Sequence, residues 1–491
     1  MAKLQELSTN KIIKDAVNPD LRLAFDVISK KREPYDLLYK YYKGDHPLRY
    51  STERLKKAFD KIGTYFAKNW LAVIVDAVLD RINLKGFDIT DEEANTIIED
   101  LWEKYSISLL TDDVHEAATV LGEGYVIAWR EDNENTVDLD GNEVEGEEIT
   151  DVYYNDPRMC HVFYDSYRPT QKRFAAKIWI DADGYPCMLL YYPDRLEHYK
   201  SRSKIKGFDT WIFSSGTFQL DNEYGNGGIE PNEYGVIPVF HFRSGRISGK
   251  REIGQSEISL QDAINKLFAD MMVGSEFYTF TQRVIISQSD PGDLKNGAGV
   301  NWWIPSGDGK GQGSNVIELG AKSLENYIQA LDHVAQSMAV ISRTPKHYFA
   351  LTGGNISGDA LLAMEAPLNK KVKKRIEGYE VEWKALIKFL LLLEGKEIES
   401  NKITPVWEPV YTSQPLATAQ TTKTEVESGV PLKTSVRRAG WAQDEIDQMD
   451  KDIKEDQKRT SSLAQEELDR LRAEKDMENE DGSNSKGDVN A

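Results

Sequence analysis

Five of the six residues from Lys370 to Arg375 are basic: Lys370, Lys371, Lys373, Lys374 and Arg375. Such a run suits phosphate, because each Lys or Arg contact to a nucleic-acid backbone releases condensed counterions. It suits carboxylates equally, and the chain offers many: 81 Asp and Glu against 61 Lys and Arg, a net charge of −20. Both partners stay open at this point, DNA on one side and acidic residues of the same protein or a neighbouring copy on the other. The run follows three further basic or titratable groups, Arg343, Lys346 and His347, and a loop containing Gly353, Gly354, Asn355 and Ile356. The glycines reach backbone angles that other residues resist, and Asn355 accepts the left-handed region. Ser357 supplies the hydroxyl of a helix N-cap, with Asp359 suited to the positive end of the helix dipole. Pro367 stands ten residues on, where it removes an intrahelical hydrogen bond and predicts a kink between Ala363 and Lys370.

Enzyme signatures do not assemble. Gly307–Ser314 (GDGKGQGS) has glycines and a lysine without the spacing of a phosphate-binding loop or a hydrophobic strand before it. Gly122–Val126 (GEGYV) reads as a strand entry and lacks the third glycine of a dinucleotide fingerprint. His46, His115, His161, His198, His241, His333 and His347 form no HExxH and flank no cysteine pair. Neither metal nor cofactor is expected. Cys160 and Cys187 require no disulfide and read as reduced thiols. The N-terminal MAKLQELSTNKII has no apolar stretch of signal-peptide length, and Phe389–Leu393 is too short to cross a bilayer.

The elements that position these groups fall into blocks. The first 120 residues read mainly as helices, including one that ends at Gly44 and another over Tyr65–Ile82. Residues 120–245 change to short β-rich runs (YVIAW, DVYYN, HVFYD, FAAKIWI, CMLLYY, TWIFS, VIPVFHF) separated by turns. A helix follows Gly254, with Leu260, Ile264, Leu267, Met271 and Gly274 on one stripe and Glu257, Asp262 and Asp270 hydrated elsewhere. After a small β-rich segment comes a second helix with Leu324, Ile328, Leu331, Val334, Met338 and Ile341 in register, and Ser323 as its N-cap. Two helices enclosing a small β module predict an antiparallel stalk with a knob at its far end. Trp302 and Trp303, adjacent in that module, face opposite ways if they lie on a strand. The long helix from Ser357 ends at Gly395, and beyond it lie short helices and an acidic tail.

The order of these parts resembles the portal proteins of tailed bacteriophages, in the branch from long, non-contractile-tailed phages of Gram-positive hosts. The resemblance covers residues 20–455. It rests on YYKGDHPL, NWLAVIVDAVLDRINLKGF, FRSGRISGKREIGQSEISLQDAINKLFADMM and, above all, ISRTPKHYFALTGGNISGDALLAMEAPLNKKVKKR. VPLKTSVRRAGWAQDEIDQMDKD is similar, less specifically, to the family's helical crown.

The resemblance implies an α+β portal fold: a helix-covered, strand-rich wing (1–250), a stem helix (251–280), a small α/β clip (281–320) and a second stem helix (321–342). A tunnel loop (343–358), the long kinked helix (359–405, returning to the wing), a crown (406–455) and an acidic, partly disordered tail (456–491) follow. It implies a non-enzymatic role in the virion, at the capsid portal vertex, after assembly in the host cytoplasm. The ring, typically of twelve subunits, passes double-stranded DNA. Its implied partners are the terminase packaging motor, the head-tail connector or adaptor, and the major capsid and scaffolding proteins. Arg343, Lys346, His347 and the loop through Ser357 would face the channel, and Trp302 and Trp303 would serve the clip interface. The readings from other classes are a metal-dependent nucleic-acid-processing enzyme and a virion scaffold protein without a channel.

Overall fold

The computed structural model describes residues 18–46, 68–132, 136–137, 143–144, 148–204, 217–245, 247–279, 283–286, 315–318, 323–349, 357–410, 415–439 and parts of 441–471. The fold mixes helix and sheet, and the chain divides into two compact units, 1–410 and 411–491.

The first unit opens with helix α1 (Pro19–Lys43), whose cap Asn18 accepts from the Asp20 amide and whose end is closed by Gly44 at φ 84°. The α1 helix runs through Pro34. Helix α2 (Trp70–Leu79) is capped by Asn69 and leads into strand β1 (Leu84–Ile89). Helices α3 (Glu92–Lys104) and α4 (Ile107–Val120) come next. Then follow β2 (Gly124–Asp132), the short pair β3 (Thr136–Val137) and β4 (Glu143–Val144), and β5 (Glu148–Asn155).

Strands β6 (Cys160–Tyr164), β7 (Lys172–Ile180), β8 (Pro186–Tyr191), β9 (Arg195–Ser201), β10 (Phe218–Leu220) and β11 (Ile229–Pro231) form one antiparallel sheet. Its order is β10-β9-β8-β7-β6, with β11 also pairing β9. Strand β12 (Val239–Phe242) joins β2 and β5 in a second sheet, ordered β12-β2-β5. Leu21, Ala24 and Ile28 of α1 cover the larger sheet through Phe174, Ile178 and Met188. Tyr125, Ile127, Val162 and Ala175 fill the space between the sheets.

Helix α5 (Gln255–Thr279) leads to strand β13 (Arg283–Ile286), which pairs antiparallel with β14 (Asn315–Glu318). Helix α6 (Glu325–Ser342) returns along α5. The start of α5 and the end of α6 share one apolar cluster (Ile258, Ile264, Leu331, Met338), so the two helices run antiparallel. Helix α7 (Gly358–Leu393) is continuous through Pro367 and is about 54 Å long at 1.5 Å per residue. It forms the spine of the largest core, where Leu368, Val372, Tyr379, Trp383 and Leu390 are all buried.

After Gly395 (φ 75°) strand β15 (Ile403–Trp407) pairs antiparallel with β1, Ile403 opposite Ile89 and Trp407 opposite Leu84. This strand crosses position 405/406, where the family resemblance implies that the crown begins, and the first unit extends to Val410. The second unit contains α8 (Pro415–Glu427) and α9 (Leu432–Arg438), joined by Gly429 at φ 93°. Within it Ser435 donates to Glu425 at 2.6 Å, and Lys433 pairs with Asp450 at 2.7 Å.

Candidate functional site

The root of the α5–α6 pair is built on the segment between β12 and α5. Gly249 lies so close to the α4–β2 turn that a Cβ there would stand 1.5 Å from the Gly122 carbonyl oxygen. On the other side, a Cβ on Gly378 of α7 would meet the Arg243 carbonyl at 2.8 Å. Backbone therefore touches backbone on both sides of this loop, and only glycine permits it. The Glu252 amide donates to the Thr119 carbonyl at 2.9 Å. Glu257 reaches back to the Gly254 amide at 3.1 Å, the return half of a capping box at the start of α5.

Glu252 is the centre of this junction. Its side chain is buried, Oε1 accepting from Arg375 Nε at 3.0 Å and Oε2 from Lys371 Nζ at 2.8 Å. Lys371 also donates to the Ser342 carbonyl at 2.8 Å, and Arg375 to the Lys250 carbonyl at 2.5 Å. One carboxylate and two cations thus tie α7 to the threshold of α5 and to the last turn of α6. Burial alone would raise the Glu252 pKa; Arg375 and Lys371 outweigh it and hold the carboxyl below its ordinary range.

A second polar layer anchors α5. Gln261 accepts from the Trp70 amide at 2.9 Å, Asn265 from the Lys68 amide at 3.2 Å, and Asp262 from the Tyr41 hydroxyl at 2.8 Å. Asn265 also meets His46 Nδ1 at 2.9 Å. Asp262 is buried rather than hydrated, which corrects the sequence expectation. The helical stripe could not reveal that Tyr41, from 221 residues earlier, supplies its hydrogen bond.

The basic run divides. Arg375 is buried and Lys371 half-buried against Glu252, both held in ion pairs, while Lys370, Lys373 and Lys374 are exposed on α7. Arg343 closes α6 in the left-handed conformation at φ 57°, its amide bonded to the Ala339 carbonyl, and its side chain is exposed. Lys346 is exposed as well. His347 is not free: its Nε2 lies 3.9 Å from Glu365 of α7, which also receives Tyr348 at 3.4 Å. Arg81 completes this contact, donating to Tyr348 at 2.7 Å and lying 3.5 Å from Glu365. Ser357 caps α7, accepting from the Ala360 amide at 3.3 Å, and Pro367 is the tenth residue of that helix. Gly353, Gly354, Asn355, Ile356, Trp302 and Trp303 lie outside the described residues.

The phage portal protein family of the SPP1 Gp6-like type matches residues 26–481. The chain belongs to this family. Among curated relatives, the portal protein of Mycobacterium phage D29 is 22% identical over 366 residues, 69% of each chain. That of Mycobacterium phage L5 is 21% identical over 363 residues, again 69% of each. The role is that of a phage portal, a component of the virion capsid, in keeping with the sequence resemblance. Among the described residues no group of His, Cys, Asp and Glu is arranged to hold a metal ion, and no helix is long and apolar enough to cross a membrane.

Sequence reading missed Glu252, which sits between Lys250, Arg251 and a helix start and looks like one more solvated charge. The signal available was the i, i+4 spacing of Lys371 and Arg375, which puts both cations on one face of α7. That face also carries Leu368, Val372 and Tyr379, which are buried.

Proposed function

We propose that copies of this portal chain close into a ring around an axial channel, with α5 and α6 as the stem and residues 281–320 as the clip. The carrying observation is the antiparallel α5–α6 pair with both roots fixed at Glu252 and a two-stranded β pairing between its other ends. Ile328, Val340 and Ile341 of α6 are exposed in the single chain. Head-to-tail contact between identical copies covers such apolar groups without leaving an open edge once the ring closes. Twelve subunits is the number the family resemblance favours.

Residues 343–358 form the tunnel loop in this reading, with Arg343 and Lys346 facing double-stranded DNA. A channel through which a motor drives DNA must not grip it, since each firm phosphate contact adds affinity. A chain of net charge −20 with two exposed cations at the loop root meets that requirement. Lys370, Lys373 and Lys374 contact DNA or the neighbouring copy. Pro367 bends α7 where it leaves the loop. The clip, with Trp302 and Trp303, docks the terminase motor during packaging and the head-tail connector afterwards, and the 406–455 crown faces the capsid interior. The role is mechanical and non-enzymatic.

Electron micrographs of the purified protein test this directly. The expected result is closed rings with an axial hole and one rotational symmetry, matched by native mass. Monomers and dimers alone across a range of salt and concentration overturn it.

A further inference from the structure

Between α1, β6 and the loop after β12 lies a cavity of about 340 Å³. Its polar lining includes Glu123, His161, His241, Arg243 and Ser248; Leu121, Val162 and Phe163 supply apolar wall. Glu123 is fully engaged. Lys31 pairs with its Oε1, the Tyr35 hydroxyl donates to the same oxygen at 2.7 Å, and the Tyr125 hydroxyl donates to Oε2 at 2.9 Å. The Lys31 ammonium also meets His161 Nδ1, so the Lys31 and Glu123 charges cancel within the wall.

Arg243 has no such partner. It is 7% exposed, its guanidinium lies 4.3 Å from the centre of the Tyr164 ring, and its described hydrogen bonds use only Nη1, to the Ile247 carbonyl at 2.6 Å. Among the described residues no carboxylate lies within ion-pair distance of it, although a guanidinium offers five N–H donors. Beside it His241, 5% exposed, bonds Tyr164 through Nδ1 at 3.1 Å, and its buried Nε2 faces Glu123 Oε2 at 3.5 Å. Burial keeps both histidines neutral, lowering His161 to about 3 with Lys31 adding to the effect, and lowering His241 against the pull of Glu123. The wall therefore carries one uncompensated positive charge, on Arg243, with the His241 ring beside it.

We propose that this cavity binds a short-chain monocarboxylate, its carboxylate on the free donors of Arg243 and its alkyl chain against Leu121, Val162 and Phe163. One negative charge matches the surplus; a phosphate dianion would leave a second charge unpaired in a buried site. A carboxylate also fits the fork of a guanidinium in plane. The mixed wall, half polar and half apolar, selects an acid with a hydrocarbon tail over a bare ion.

The test is a ligand-observed NMR titration of the full chain with butyrate, with inorganic phosphate and butan-1-ol as comparison probes. Saturable butyrate binding is expected, with butan-1-ol and phosphate weaker by about tenfold or more. Arg243→Gln should weaken butyrate to a similar degree. Ser248→Trp provides a variant that does not touch the core, because Ser248 lines the cavity yet is exposed; its indole should block butyrate while leaving the melting temperature unchanged. Absence of saturation in the unaltered protein, equal butyrate binding by Arg243→Gln, or phosphate binding as tight as butyrate each overturns the proposal.

Discussion

Arg375, midway along α7, donates through Nε to Glu252 Oε1 at 3.0 Å, and the two residues are 123 positions apart in the chain. Glu252 precedes α5 by three residues, so the bond joins the spine of the largest core to the base of the two-helix pair. Both groups are buried, and truncating one leaves the other charged, with part of its hydrogen bonding lost. Arg375→Ala is expected to destabilise the first unit by about 3 kcal/mol, towards the low end for a broken buried pair because Lys371 still holds Glu252. Lys371→Ala should cost less, since Arg375 remains. Denaturant midpoints of the purified variants check both, and equal effects would contradict the ranking.

The glycine contacts at the same junction give a sharper contrast. Gly249→Ala forces a methyl group against the Gly122 carbonyl, where a backbone atom rather than a flexible side chain must move. A cost of about 3 kcal/mol or more is expected, the upper range for overpacking. Gly235→Ala has open space around its Cβ and bears only the strain of φ 66°, about 1 kcal/mol. If thermal unfolding ranks the two the other way, the close approach at Gly122 is wrong.

Acid should loosen this unit through its buried histidines. The Trp383 indole donates to His115 Nε2 at 3.1 Å, Tyr379 stacks on the ring, and burial lowers the pKa to about 3 from an ordinary 6.5. Below about pH 6.5 the unfolded chain takes up a proton that the folded chain refuses until near pH 3. The stability contribution is therefore complete above pH 6.5 and falls as the pH drops towards 3, by about 1.4 kcal/mol per pH unit for each such histidine. His161 acts in the same direction. His115→Gln removes one titrating group while keeping an acceptor for Trp383. A stability–pH profile between pH 6.5 and 4 should become shallower by that increment, and an unchanged slope would count against a neutral His115.

Local patterns made much of this legible. The apolar stripes of α5 and α6 and the Ser357 cap follow from residue spacing and side-chain chemistry alone. What stayed hidden is non-local. LKGFDI and ITPVW carry Gly, Asp, Lys or Pro that weaken a strand signal, yet they pair as β1 and β15 across more than three hundred residues. RLEHYKS alternates with polar groups and became β9, an internal strand of its sheet. Of the α6 stripe, Leu331 and Met338 are buried while Ile328 and Ile341 stay exposed, a difference that spacing alone does not give. Glu123 and Glu252 looked like two of 81 acids, because no sequence pattern marks which carboxylate meets a distant lysine or arginine.

The loop between Tyr348 and Ser357 supplies the last prediction. Its roots are fixed: Tyr348 and His347 meet Glu365 of α7, Arg81 holds Tyr348 from the α2 side, and Ser357 caps the helix. Arg81 and Glu365 are largely buried, so their contact outlasts what an exposed ion pair would give. Ser357→Ala removes a cap that is long at 3.3 Å and exposed, and should cost about 0.5–1 kcal/mol of local stability, the low half of the usual range. Arg81→Ala, by contrast, leaves Glu365 buried with only His347 and Tyr348, and should release the loop root itself. Under the proposed channel role, replacing Gly353 and Gly354 together by a bulky residue keeps subunit folding and ring yield near normal but reduces the amount of DNA packaged. Ring yield by micrograph and DNA content per particle, measured on one preparation, separate the effects. Normal packaging by the double-glycine variant would remove loop mobility from the mechanism, and loss of rings in that variant would move the loop from the channel to the subunit interface.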